Sequence, residues 1–137
     1  MKPSLVAPCG MNCGVCSAYL RKKNHCPGCR IDGPTKPLSC IRCKIKNCAV
    51  LKKSGKKFCN SGACEKFPCP TLAHLDKRYK EKYHMSMLEN LGNIKKSGIK
   101  KFVKNEKTRW ACKKCGGTIC VHKHCCFECG TPFASRR

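Results

Sequence analysis

"APCGMNCGVC", residues 7–16, sets Cys9, Cys13 and Cys16 in a C-x3-C-x2-C array. Three thiolates so close together suit two metals. They can hold three irons of a four-iron cluster and leave the fourth open, or they can begin a zinc-stapled module. The choice decides the fold, because a radical enzyme built on such a cluster needs a large sheet or barrel around it. A chain of 137 residues has room for one domain or for two or three very small ones, and it shows no series of strand–helix units. The reading is against a radical enzyme. It leaves structural zinc first, with an iron-sulfur cluster of structural or redox type as the alternative.

Seventeen cysteines stand in a chain poor in large apolar side chains, so cross-links must do much of the work of a core. Disulfides need an oxidising compartment, and the start "MKPSLVAPCG" lacks the apolar run of roughly 7 to 15 residues found in a signal peptide. The odd cysteine count points the same way. No stretch reaches the roughly 18 apolar residues of a membrane span. The expectation is a soluble, cytoplasmic protein with reduced thiols that bind metal.

Thirty Lys and Arg face seven Asp and Glu, a formal charge of +23 that counts every cysteine as neutral. A zinc held by four thiolates is a unit of about −2, so three or four such sites would lower the charge to about +15 to +17. A polyanion partner follows, nucleic acid being the commonest, although part of the charge can serve to offset the metal sites.

Three sections succeed one another. Residues 1–70 carry eleven cysteines separated by turn formers such as "CPGC", "IDGPTKP" and "CNSGAC", with short helices expected around Ser17–Lys23 and Ile41–Lys53. Residues 71–107 contain no cysteine and read as two or three helices. Leu72, Leu75, Tyr79 and Tyr83 make one stripe, with Thr71 as the expected N-cap. Ser86 and Glu89 form a capping-box pattern before Leu88, Leu91 and Ile94, Gly98 stops that helix, and Ile99, Phe102 and Val103 suggest a third. Residues 108–137 return to cysteine. The fold class expected is a small metal-stapled α+β protein: irregular Cys-rich knuckles, a two- to three-helix segment and a C-terminal zinc ribbon.

The clearest metal site is the last. Cys112 and Cys115 of "CKKCGG" and Cys126 and Cys129 of "CFECGT" give two C-x2-C pairs, each followed by glycine, at zinc-ribbon spacing. A different partition would recruit Cys120, His122, His124 or Cys125. Upstream, Cys13 and Cys16 pair with Cys26 and Cys29, Cys40 and Cys43 form a further knuckle, and Cys48, Cys59, Cys64 and Cys69 supply sulfur for another site. Cys9, Cys13, Cys16, Cys26, Cys29, Cys43, Cys48, Cys59 and Cys69 are the candidate ligands of this section, with Cys40 and Cys64 in reserve. Their partition stays open, and the whole chain is expected to hold three to four Zn2+ ions.

The runs "PCGMNCGVCSAYL", "CPGC" and "FCNSGACEKFPCPTL", with "LDKRYKEKYHMSMLENL" after them, resemble the cysteine-rich family called domain of unknown function 3795. The specific matches are Cys9, Gly10, Cys13 and Cys16 at the start and Phe67, Pro68 and Cys69 before the helices. The tail resembles the zinc-ribbon end of longer members. The resemblance implies metal binding, presumed to be zinc, and no established activity.

No Ser/His/Asp set, paired carboxylates, phosphate loop or H-x-E partner for a zinc-bound water is visible, so the reading is of a non-catalytic protein with no small-molecule substrate. Its partner is expected to be RNA or DNA, held through Arg21, Lys22 and Lys23 and through Lys52, Lys53, Lys56 and Lys57 around a Gly turn. A protein-interaction adaptor, or an iron-sulfur redox protein, is the alternative.

Overall fold

A computed structural model describes residues 1–60 and 64–133. The last four positions of the section expected over 108–137 lie outside the described residues.

The cysteine-rich first section is mostly turn. It contains 3-10 turns at Pro3–Leu5 and Cys13–Val15 and three short helices, α1 (Ser17–Leu20), α2 (Leu38–Ile41) and α3 (Ala49–Ser54). Both helices expected here are shorter than the sequence suggests, for local reasons. Arg21 is extended and donates to Asn24 O and Thr35 O, which pulls the chain away from α1. Asn47 Nδ2 donates to Ile41 O and Cys43 O, so a turn divides α2 from α3.

Three longer helices follow: α4 (Pro70–Tyr83), α5 (Met87–Ser97) and α6 (Ile99–Arg109). The N-cap of α4 is Cys69, not Thr71. Its sulfur accepts from Leu72 N at 3.4 Å, and Pro70 takes the first helical position, where a missing N–H leaves nothing unpaired. At the start of α5, Ser86 Oγ accepts from Glu89 N at 3.0 Å and donates to Asp76 Oδ1 at 2.7 Å. Asp76 Oδ1 also accepts from Leu88 N at 3.1 Å, so a buried carboxylate from α4 stands at the positive end of α5. Gly98, with φ +85°, ends α5 and begins α6.

After α6 the chain forms a two-stranded antiparallel hairpin, β1 (Ile119–Cys120) and β2 (Cys125–Cys126), with Ile119 opposite Cys126 and Cys120 opposite Cys125. The hairpin docks on the N-terminal loop, where Val121 N donates to Val15 O at 2.9 Å. One buried cluster draws on all three sections: Leu5, Met11 and Val15 from the first, Leu72, Met85, Met87 and Leu91 from the helices, and Trp110, Ile119 and Val121 from the hairpin. Cys9, Cys13, Cys112 and Cys126 belong to the same cluster. A smaller one joins Val6 to Ile94, Phe102 and Val103. The arrangement is a small α+β fold whose core contains thiols. Among the described residues no helix is long and apolar enough to cross a membrane.

The loop that carries Cys9, Cys13 and Cys16 is locked from the helical side. Gly10 has φ +92°, and a Cβ there would come within 2.8 Å of Met87 O. Asn90 Nδ2 donates to Gly10 O at 2.9 Å. Asn12 Oδ1 accepts from Gly14 N, while its Nδ2 donates to the buried Glu106 Oε1 at 3.4 Å.

Candidate metal centre

The hairpin section brings four thiols together by repeating one turn. Cys112 O accepts from Gly116 N at 2.9 Å and Cys126 O accepts from Gly130 N at 3.0 Å, and both glycines have positive φ, +77° and +75°. Glycine takes that conformation at little cost, which is why each pair is followed by one. The turns point amides at sulfur: Gly117 N donates to Cys115 Sγ at 3.3 Å and Cys129 N to Cys126 Sγ at 3.5 Å.

The ligand atoms of Cys112, Cys115, Cys126 and Cys129 all lie within 4.8 Å of one another. Cys112 and Cys129 are 3.7 Å apart, and Cys115 and Cys126 are 3.5 Å apart. Tetrahedral thiolates at about 2.3 Å from one zinc would be about 3.8 Å apart, so the donor set fits a single ion. The thiols cannot all ionise side by side without a cation. Hydrogen bonds from Thr131 bring Cys129 down to about 6, and the Cys115 and Lys114 amides lower Cys112. The Gly117 amide favours the Cys115 thiolate, but sharing with the Cys126 and Cys129 sulfurs outweighs it and holds that thiol up at about 12. A bound metal would remove this conflict and release the remaining protons.

Cys120, His122 and Cys125 stand outside this four-sulfur group. Cys120 is fully buried in β1. Both ring nitrogens of His122 face protein partners: Nδ1 accepts from Ser17 N at 3.2 Å, which leaves the proton on Nε2, 3.0 Å from the Tyr79 hydroxyl. Burial, helped by His124, lowers its pKa and favours the neutral ring.

The upstream cysteines form a thicket in which the C-x3-C-x2-C loop divides. Burial raises the Cys9 thiol, and the thiols that add to the effect are Cys29, Cys43 and Cys13. Burial pushes Cys13 up to about 12, with Cys29, Cys16 and Cys26 adding to it. Burial raises Cys16 as well, with Cys40 and Cys26 adding to it. Cys40, in reserve from the spacing alone, therefore sits among these sulfurs. Cys48, Cys59, Cys64 and Cys69 line one cavity beside α3 and the start of α4.

Two cations serve this thicket, and spacing did not single out either. Lys36 lies in "IDGPTKP", read as a turn, but it is buried, and its Nζ donates to Gly28 O, Cys29 O and Ile31 O at 2.7, 3.0 and 2.8 Å. It wraps the Cys26–Cys29 turn and favours the Cys29 thiolate, although burial outweighs it. Arg30 donates to Val6 O and Lys57 O and stacks 4.8 Å over Phe58. Only an unusually placed Gly, Pro or charge flags such residues in sequence, and a lysine among thirty cations carries no such flag. The expected polyanion contacts are all exposed: Arg21, Lys22, Lys23, Lys52, Lys53, Lys56 and Lys57. Arg21 spends its guanidinium on two carbonyls, whereas the four lysines flank Gly55 at the end of α3.

Residues 5–74 match the family described as Protein of unknown function (DUF3795). The chain belongs to that family. The DUF3795 match takes in all eleven cysteines from Cys9 to Cys69 and ends inside α4, so the hairpin's four-sulfur group lies beyond it. No curated protein and no solved structure matches the chain.

Proposed function

We propose that the protein is a non-catalytic, metal-stapled module that binds RNA or DNA through phosphate contacts, with its C-terminal hairpin acting as a zinc ribbon. The observation that supports this reading is the excess of exposed cations over exposed carboxylates. Two of the seven carboxylates, Asp76 and Glu106, are buried and spent on capping and on the Asn12 network. Cations remain outside: Lys95 and Lys96 on α5, Lys100, Lys101, Lys104 and Lys107 on α6, and the lysines around Gly55. A groove of about 760 Å³ between the end of α6 and the hairpin adds Arg109, Lys113 and Lys114 beside Phe133. Such a surface attracts a polyanion over a wide area without reading sequence.

Titration of labelled mixed-sequence RNA and DNA with the metal-loaded full chain, at several salt concentrations, tests the reading. Affinity should fall with a log–log slope of about 0.7 to 0.9 per phosphate neutralised. No binding at low salt would remove the nucleic-acid reading and leave a protein-interaction adaptor in its place.

A further inference from the structure

We propose that Cys48, Cys59, Cys64 and Cys69 ligate a four-iron, four-sulfide cluster, a cofactor of a different kind from the single ion that suits the hairpin. These four cysteines line a cavity of about 110 Å³ whose other walls include Leu51 and Phe67. One water takes about 30 Å³ of liquid, so the space is right for a compact group of several heavy atoms.

Their spacing separates this site from the hairpin. There, four sulfurs close to single-ion distance with no room between them. Among the described residues no other three cysteine, histidine or acidic ligand atoms come mutually within 4.8 Å, so no three of these four sulfurs do. Four thiolates spread around a void are what a cluster requires, because its irons and sulfides stand between the protein's sulfurs, one thiolate to each iron. The surroundings suit an anionic cofactor. Cys69 Sγ accepts the Leu72 amide at the N-terminus of the 14-residue α4, and Lys44 stands on the cavity lining. The step is ligand exchange onto a preassembled cluster: each thiol loses its proton to solvent and its sulfur displaces one labile carrier ligand from one iron, so four S–Fe bonds form as four iron–carrier bonds break, with no electron transferred.

The test is the full chain purified without oxygen, assayed for iron, acid-labile sulfide and zinc and scanned for absorption. The expected result is about four irons and four sulfides per chain with an absorption band at roughly 400 nm, together with zinc. Cys59→Ser and Cys64→Ser should each reduce iron and absorption at least several-fold, while Cys115→Ser should lose zinc and keep the absorption. A colourless protein holding one more zinc in this cavity would overturn the proposal, as would iron that survives both Cys59→Ser and Cys64→Ser. Elemental analysis of the unmutated chain does not depend on any variant folding, and none of these readouts depends on nucleic acid.

Discussion

Asn12 and Glu106 are 94 positions apart, and their contact ties the cysteine loop to α6. Asn12→Ala would strip Gly14 N of its acceptor and Glu106 of a donor in a buried site. The expected loss is about 1–3 kcal/mol in chemical denaturation, against near-neutrality for a solvent-facing control such as Asn105→Ala. Gly10→Ala meets both a positive φ and Met87 O, so it should also cost about 1–3 kcal/mol or more. Glu106 gives a pH dependence with a definite sign. Burial raises its carboxyl above the ordinary 4.5, against the pull of Arg109, Asn12 and Trp110. The folded state therefore keeps a proton that the unfolded chain has lost. That stability is fully present below the ordinary value and is lost as pH rises through the raised one. Melting temperatures of wild type and Glu106→Gln should agree most nearly at low pH and separate on that rise, the wild type falling relative to the amide, and a difference that stays constant with pH would exclude the effect.

The helices and the hairpin differ in how they are held. The helices carry their own signals: Ser86 caps α5 and Gly98 divides α5 from α6. The hairpin has only two residues in each strand, so its turns need another source of order. Cys126→Ser is expected to release about one metal ion from the protein, read by elemental analysis, and to lower the melting temperature of the whole chain, because Val121 and His122 dock on Val15 and Ser17. A hairpin that loses its ion without any change in melting would show that this docking contributes nothing. The contrast explains what was legible in the sequence. Period 3.6, Ser86 and Gly98 act within a few residues, so α5 and α6 could be read directly. Cys112, Cys115, Cys126 and Cys129 were readable because two local turns bring them together. The N-cap of α4 lies two positions before the Thr71 that the sequence suggests, because capping by a cysteine sulfur is not a usual N-cap signal. The partition of the upstream thiols is closed to sequence reading, since Cys29 and Cys43, two of the neighbours that act on Cys9, lie far from it in the chain.

Across the whole molecule, charge and sulfur answer to each other. Lys36 and Arg30 are held beside the thiols, whereas Lys52, Lys53, Lys56 and Lys57 are exposed and free of that duty. Replacing those four by alanine should weaken binding to all RNA and DNA sequences alike and reduce the salt slope, with the far-ultraviolet circular dichroism unchanged. Unaltered affinity would move the contact to the α5–α6 lysines or to the groove at Arg109.

Metal is expected to organise this fold. Cys9, Cys13, Cys112 and Cys126 lie inside the same buried cluster as Leu72 and Trp110, so stripping the metal should open the core rather than trim the surface. The direct measurement is thermal unfolding, followed by circular dichroism, of the full chain before and after metal removal by a strong chelator under reducing conditions. Stripping should abolish the cooperative transition and most of the helical signal, and reloading should restore both. An unchanged spectrum and melting temperature in the metal-free chain would contradict it.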